Sequence, residues 1–182
     1  MLIRILNGAQ LKLLKELHPY VSKDVSTYVF IGAPRIPLYH ISTILKNFFI
    51  VTSKHDDIYV TKTARNLGVL LDANLINLGD YLIAGVGGID PWHAISRLRE
   101  LLSNQERKIL LFSYFPAYNI CDFMPELRTR LGLLELKDFL DYIKPSVFVC
   151  LSNVECYTRY GETRIYSLSK DTLFLDLVLD LI

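Results

Sequence analysis

The stretch Ser53-Lys54-His55-Asp56-Asp57 is the one place in the chain where a histidine and an aspartate are adjacent. An imidazole beside a carboxylate is a side-chain pair suited to general acid/base chemistry. The cluster follows the apolar run Phe48-Phe49-Ile50-Val51-Thr52, where a buried strand would pass into a loop. Ligand sites of open α/β sheets gather at such strand ends. A second candidate is Gly85-Val86-Gly87-Gly88. Gly87 and Gly88, between a strand and a helix, would let backbone N–H groups approach a phosphate. The segment lacks the full dinucleotide spacing and the Walker lysine, and a tight strand-to-loop turn calls for the same glycines.

Strands must carry these groups to a common edge. Residues 2–6, 27–31, 48–52, 81–84, 108–113 and 146–150 are short apolar runs of strand length. Residues 163–168 and 172–182 close the chain as strands, the last alternating Asp176 and Asp180 with leucines so that one face is solvated. Helices are expected over residues 10–17, 38–46, 91–102 and 133–143. Pro91 sits well in a first turn, while Pro19 ends the first helix by disfavouring helical geometry at His18. Residues 66–78 read as a short helix or turn followed by a strand. Helices separate the early strands and strands dominate the end, so the expected architecture is a layered α-β-β-α sandwich, with residues 1–182 as one domain.

Composition narrows the function classes. Of 182 residues, 51% are hydrophobic and 21% charged, which excludes disorder. Twenty basic against nineteen acidic side chains give a net charge of +1, so nucleic acid is not indicated as a partner. No apolar run reaches the length of a membrane span, and Arg4 interrupts the apolar start, so a cytoplasmic location with no membrane association is the default expectation. Cys121, Cys150 and Cys156 are an odd number with no Cys-x-x-Cys pair, and read as reduced core or boundary thiols. His18 and His40 have no partner motif. Trp92 and His93 read as packing and solvent contacts, and Arg35, Arg97, Arg99 and Arg107 as solvated charges or a local basic patch.

The order of turns resembles the calcineurin-like metallophosphoesterases. Ile109-Leu110-Leu111-Phe112-Ser113-Tyr114-Phe115-Pro116 is similar to that family's strand ending in His before a proline pair. Lys144-Pro145 matches its Lys-Pro turn, Ser152-Asn153-Val154 falls on Gly-His-x-His with its first His at Ser152, and Gly161-Glu162-Thr163 resembles its Gly-[Asp/Glu]-Thr turn. Upstream, Ser53-Lys54-His55-Asp56 falls on Gly-Asn-His-Asp, Gly32-Ala33 on Gly-Asp, and Asn7-Gly8-Ala9 on Asp-x-His.

The resemblance implies a two-metal phosphoesterase site, and the departures from it shape the expectation. Position by position, the implied ligands are replaced by Asn7, Ala9, Ala33, Lys54, Tyr114, Ser152 and Val154. His55, in the family a catalytic histidine beside the metals, and Asp56 are kept. Hard divalent ions take several carboxylate, imidazole or carbonyl donors each; Asn7, Tyr114 and Ser152 are weak neutral donors. A lysine charge about 4 Å from a dication costs roughly 8 kcal/mol at an effective dielectric of 20. The expectation is therefore no metal ligand set and no cofactor, with a weakly bound divalent metal as the alternative. His55 is read as a remnant held by Asp56 or a backbone carbonyl, with residual catalysis as its alternative. Lys54 either faces solvent or replaces lost metal charge. Lys54, Asn7, Gly87, Gly88, Tyr114 and Ser152 are the candidate binding residues. Two functions compete: a non-catalytic binding or scaffolding subunit with a protein partner or a second copy of itself, Tyr39, Tyr59, Tyr114, Tyr118 and Tyr157 being candidate contacts; or a residual phosphoesterase or binder of a phosphate-containing ligand using His55 and Lys54.

Overall fold

The computed structural model describes residues 1–169 and 171–179. Two sheets face each other. The first contains β1 (Leu2–Asn7), β2 (Thr27–Ile31), β3 (Phe48–Val51) and β12 (Phe174–Val178) in the order β12-β1-β2-β3. The second contains β4 (Leu75–Leu78), β5 (Tyr81–Val86), β6 (Lys108–Ser113), β9 (Val147–Leu151), β10 (Cys156–Tyr160) and β11 (Thr163–Leu168) in the order β10-β11-β9-β6-β5-β4. The inner strands of both sheets pair in parallel, and β12, β10 and β4 close the edges antiparallel. A two-stranded hairpin, β7 (Phe123–Met124) and β8 (Thr129–Arg130), stands apart.

Strand alternation assigns each face. Ile3, Ile5, Val29, Ile31 and Val51 from one sheet meet Ile83, Leu110, Phe112, Val147 and Val149 from the other in the central layer. The intervening residues turn outward. Leu6, Tyr28, Phe30, Phe48 and Ile50 pack under α2 (Leu38–Ile44) and α3 (Ile58–Asn66). Leu82, Ala84, Ile109, Leu111, Phe148 and Cys150 pack under α4 (Pro91–Leu102) and α5 (Leu134–Ile143). Period-two runs with both faces apolar are what a parallel sheet covered on both sides requires. Phe30, Phe112, Phe139 and Phe148 are fully buried, each contributing about 1.5–3 kcal/mol of transfer free energy. The result is the α-β-β-α sandwich expected from the sequence.

Several local expectations change. The helix expected over residues 10–17 is a 3-10 turn at Gly8–Gln10 and a separate α1 (Leu14–Leu17), because Leu13 is extended and the Glu16 carboxylate accepts from the Lys12 and Leu13 N–H groups. The helix expected within residues 66–78 lies upstream as α3, which Asp57 caps by accepting from the Val60 N–H at 2.8 Å. β10 was not expected at all. The last strand is Phe174–Val178, and the part of the expectation at residues 180–182, Asp180 included, lies outside the described residues. Asp176 is not simply solvated: its carboxylate accepts two bonds from the Arg4 guanidinium, at 2.7 and 2.6 Å.

The cysteine expectation also fails for two of three residues. Cys121 and Cys156 form a disulfide across 35 residues, with Cα atoms 5.9 Å apart. It ties the loop after β6 to the start of β10. Cys150 remains a free thiol, and burial pushes it up to about 12. Among the described residues no helix is long and apolar enough to cross a membrane.

Candidate functional site at the strand ends

The ends of β1, β3, β6 and β9 converge on a cleft of about 350 Å³, lined by Asn7, Lys54, Tyr114, Ser152, Asn153 and Ser169 among others. The cleft thus gathers four of the six residues expected to bind: Asn7, Lys54, Tyr114 and Ser152. Ala9 also lines it, whereas Ala33 and Val154 do not.

Close backbone approach builds this edge. A Cβ on Gly8 would lie 1.9 Å from the Gly32 carbonyl oxygen, so only glycine lets the turn after β1 press against the turn after β2. Gly32 itself has φ +79°, in the left-handed region. Gly88 performs the same service between β5 and β3: a Cβ there would lie 2.3 Å from the Lys54 nitrogen, and its own N–H donates to the Thr52 carbonyl at 2.7 Å. Gly87 makes room for a carboxyl group, since a Cβ would lie 1.9 Å from Asp72 Oδ2. The glycine segment is a packing turn. Neither glycine lines the cleft, and the Gly88 N–H is already engaged.

The histidine and aspartate part company. Asp56 Oδ2 accepts from the Ala33 N–H at 2.9 Å and from the Ser53 N–H at 2.7 Å, latching the turn after β2 to the turn after β3. His55 is exposed. Its backbone N–H donates to Ser53 Oγ, but its imidazole makes no hydrogen bond or ion pair among the described residues. The expectation that Asp56 or a carbonyl would hold the ring is corrected: a carboxylate pinned by two amides faces the backbone. Lys54 is also exposed, and its ammonium has no ion pair among the described residues. The idea that it binds the sheet edges together therefore lacks a contact.

The remaining groups are neutral. Ser152 Oγ donates to the Cys121 carbonyl at 2.7 Å, so it is oriented by the disulfide-bonded loop. Burial, then the charge of Asp56, raises the Tyr114 hydroxyl above its ordinary range, keeping it a neutral donor. Asn7 is 5% exposed, and its Nδ2 reaches the Ser169 carbonyl at 3.4 Å while its Oδ1 has no protein partner among the described residues. Asn153 Nδ2 is likewise buried without a partner. One unsatisfied acceptor and one unsatisfied donor in one cleft are an invitation to a ligand or water, because such groups are costly to bury alone. Asn153 and Ser169 were not among the expected binding residues. Asn153 lies within the stretch matched to Gly-His-x-His, but at the unspecified position between the two histidines.

The two-metal centre implied by the fold does not fit this donor set. The cleft offers amide, phenol and hydroxyl oxygens beside an ammonium, with no carboxylate or imidazole among Asn7, Lys54, Tyr114, Ser152, Asn153 and Ser169. Among the described residues no three His, Cys, Asp or Glu side chains come together as a metal-holding group.

Of the candidate basic-patch residues Arg35, Arg97, Arg99 and Arg107, two are engaged by protein groups. Arg107 is held by Asn77 and by the carbonyls of Gly79 and Tyr81, and Arg99 lies over the Tyr142 ring at 5.4 Å. Of the five tyrosines proposed as contacts, Tyr39, Tyr59, Tyr118 and Tyr157 are exposed and Tyr114 is part-buried.

No protein-family model matches the sequence, and no curated protein matches it. Solved structures do match the fold. One crystal structure superposes with a TM-score of 0.73 at 13% identity, covering 99% of this chain and 95% of its own. The TT1561 protein of Thermus thermophilus superposes with a TM-score of 0.68 at 16% identity, over 92% of this chain and 88% of that one. Vps29 of Chaetomium thermophilum is more distant, with a TM-score of 0.46, 11% identity and coverage of 94% and 72%. At these identities the likeness is one of fold, and the fold is that of the calcineurin-like metallophosphoesterases.

Proposed function

We propose that the chain is a non-catalytic binding or scaffolding subunit built on the metallophosphoesterase fold. The observation that carries the reading is the donor set of the strand-end cleft: Asn7, Lys54, Tyr114 and Ser152 occupy the edge where the fold would hold two divalent ions. Metal-dependent phosphoester hydrolysis needs metal-bound water as nucleophile and metal charge on the phosphoryl oxygens. None of these four groups supplies the anionic or imidazole donors that would hold such ions. His55 is exposed and, among the described residues, has no carboxylate orienting it, so it offers no poised acid/base pair there.

A scaffold role is supported by what surrounds the cleft. Leu131 lines it, and Phe123, Leu127 and Leu134 stand exposed on the same disulfide-anchored segment. Exposed apolar residues grouped on one segment suit protein contact better than solvent. The test is metal analysis of purified protein after incubation with manganese, followed by a phosphodiester assay. We expect no stoichiometric metal and no turnover. Turnover that disappears in His55→Ala would refute the reading.

A specific observation favours a second reading, in which the cleft binds a small polar ligand without metal. Among the described residues, Asn7 Oδ1 and Asn153 Nδ2 are both unsatisfied and Lys54 is unpaired. An anionic ligand carrying one hydroxyl or amide N–H would match all three. Loss of its binding in Lys54→Met and Asn7→Leu would mark this reading as the correct one.

A further inference from the structure

A second cavity, of about 470 Å³, lies away from the strand-end cleft, at the side of the sandwich. Its floor is the segment from Leu70 to Asn74, which stitches the two sheets together: Leu70 pairs with Ile50 of β3 and Asp72 with Gly85 of β5. Its walls are two helices. α3 presents Thr61 and Arg65, and α4 presents His93 and Arg97. Each pair is four residues apart and so lies on one helix face.

The two arginines are the notable groups. Neither the Arg65 nor the Arg97 guanidinium makes a hydrogen bond, ion pair or ring contact among the described residues. The two carboxylates in the cavity are engaged elsewhere. Asp72 takes the Thr52 N–H and hydroxyl on its two oxygens, and Asp90 Oδ1 takes the His93 N–H. Two guanidiniums therefore line one concavity from two helices, and among the described residues neither is ion-paired to Asp72 or Asp90, which share the lining. A planar carboxylate satisfies one guanidinium fork, whereas a tetrahedral phosphate offers oxygens to two forks at once. Beside the arginines the lining is mixed, with Leu70, Ala94 and Ile89 as its apolar part and Thr61, Asn74 and His93 among its polar groups. The volume falls within the range of small-ligand sites, roughly 300–1,000 Å³.

We propose that this cavity binds a small phosphomonoester, with the phosphate between Arg65 and Arg97 and the organic group against Leu70, Ala94 and Ile89. The site is separate from the strand-end cleft and does not depend on the function proposed for it.

Isothermal titration of the full chain with AMP and with inorganic phosphate, at constant ionic strength, tests the site. AMP is expected to bind saturably at one equivalent and more tightly than inorganic phosphate. Arg65→Gln and Arg97→Gln are each expected to weaken it about tenfold or more, the usual consequence of losing a charge-assisted contact. Both residues are exposed, so the variants should keep the parent's melting temperature. Lys46→Met, an exposed charge that lines neither cavity, should leave the affinity within about twofold. Three results would overturn the proposal: no saturable heat with either probe up to about 10 mM, unchanged binding in the double Arg65→Gln/Arg97→Gln variant, or binding lost in Lys54→Met alone. The last would place the anion at the strand ends and support the polar-ligand reading of that cleft instead.

Discussion

Asp72 works against the stability of the fold at neutral pH. Its carboxyl group sits behind Gly87, between the ends of β3 and β5, with Oδ1 accepting from the Thr52 N–H at 3.0 Å and Oδ2 from the Thr52 hydroxyl at 2.5 Å. Desolvation by burial raises it from 3.8 to about 6; the two Thr52 bonds oppose the rise and the nearby charge of Asp56 adds to it. A raised carboxyl binds its proton more tightly when folded, so the folded state holds more protons than the unfolded one between these two values. Stability is therefore highest below the unfolded value of 3.8 and is lost as pH rises through the folded value near 6. At 1.36 kcal/mol per pH unit the full loss is about 3 kcal/mol, as an upper figure. Asp72→Asn imitates the protonated acid: its carbonyl can still accept from the Thr52 N–H, and its amide can donate to the Thr52 hydroxyl. Urea unfolding of parent and variant at pH 4 and pH 8 should show near-equal stability at the lower pH and a more stable variant, by about 1–3 kcal/mol, at the higher. An Asp72→Asn difference that stays the same at both pH values would refute the assignment of the buried charge.

Three further outcomes follow from the same geometry. Reduction of Cys121–Cys156, or the double serine variant, should lower stability by up to about 4 kcal/mol, since the bridge closes a loop of 35 residues; the urea midpoint with and without reductant reads this. Gly88→Ala should destabilise by about 1–3 kcal/mol, because the added methyl would meet the backbone of Ser53 and Lys54 rather than a flexible side chain that could move; thermal unfolding measures it. Asp56→Ala should cost about 2–4 kcal/mol by leaving the Ala33 and Ser53 N–H groups without acceptors, while His55→Ala should stay within about 0.5 kcal/mol. Equal losses for these last two would mean that the imidazole is held after all.

The layers of the fold were legible because the inner strands are parallel and covered on both faces. Such strands read as unbroken apolar runs, and residues 27–31 and 108–113 were located to the residue for that reason. The missed elements lack that imprint. β10 is an edge strand with Tyr157, Thr158 and Arg159 all exposed, so no apolar alternation marks it. α3 is written Ile58-Tyr59-Val60-Thr61-Lys62-Thr63, whose β-branched residues favour strand over helix; packing of Val60 and Ala64 on the sheet overrides that preference. The cue that could have found it was Asp57, a capping residue directly before the run. The disulfide was hidden because spacing alone does not pair two distant cysteines. What brings them together is β10 folding back along β11, the element that was missed.

The site was legible in a different sense. Asn7, Lys54, Tyr114 and Ser152 come from four separate strand ends, and only the order of the turns connected them in the sequence. The structure places all four in one cleft, yet it divides the His55-Asp56 pair on which an acid/base reading rested. That division has a physical cause. The turns after β2 and β3 leave two N–H groups, of Ala33 and Ser53, without strand partners, and backbone donors near a sheet edge must find acceptors. Asp56 lies within reach of both. Once its carboxylate closes that turn, it is no longer available to orient an imidazole, and His55 is left in solvent. The adjacent pair that resembled catalytic equipment is thus better understood as a structural latch with an unrestrained neighbour. The aspartate can be required for the fold whether or not any chemistry is performed beside it.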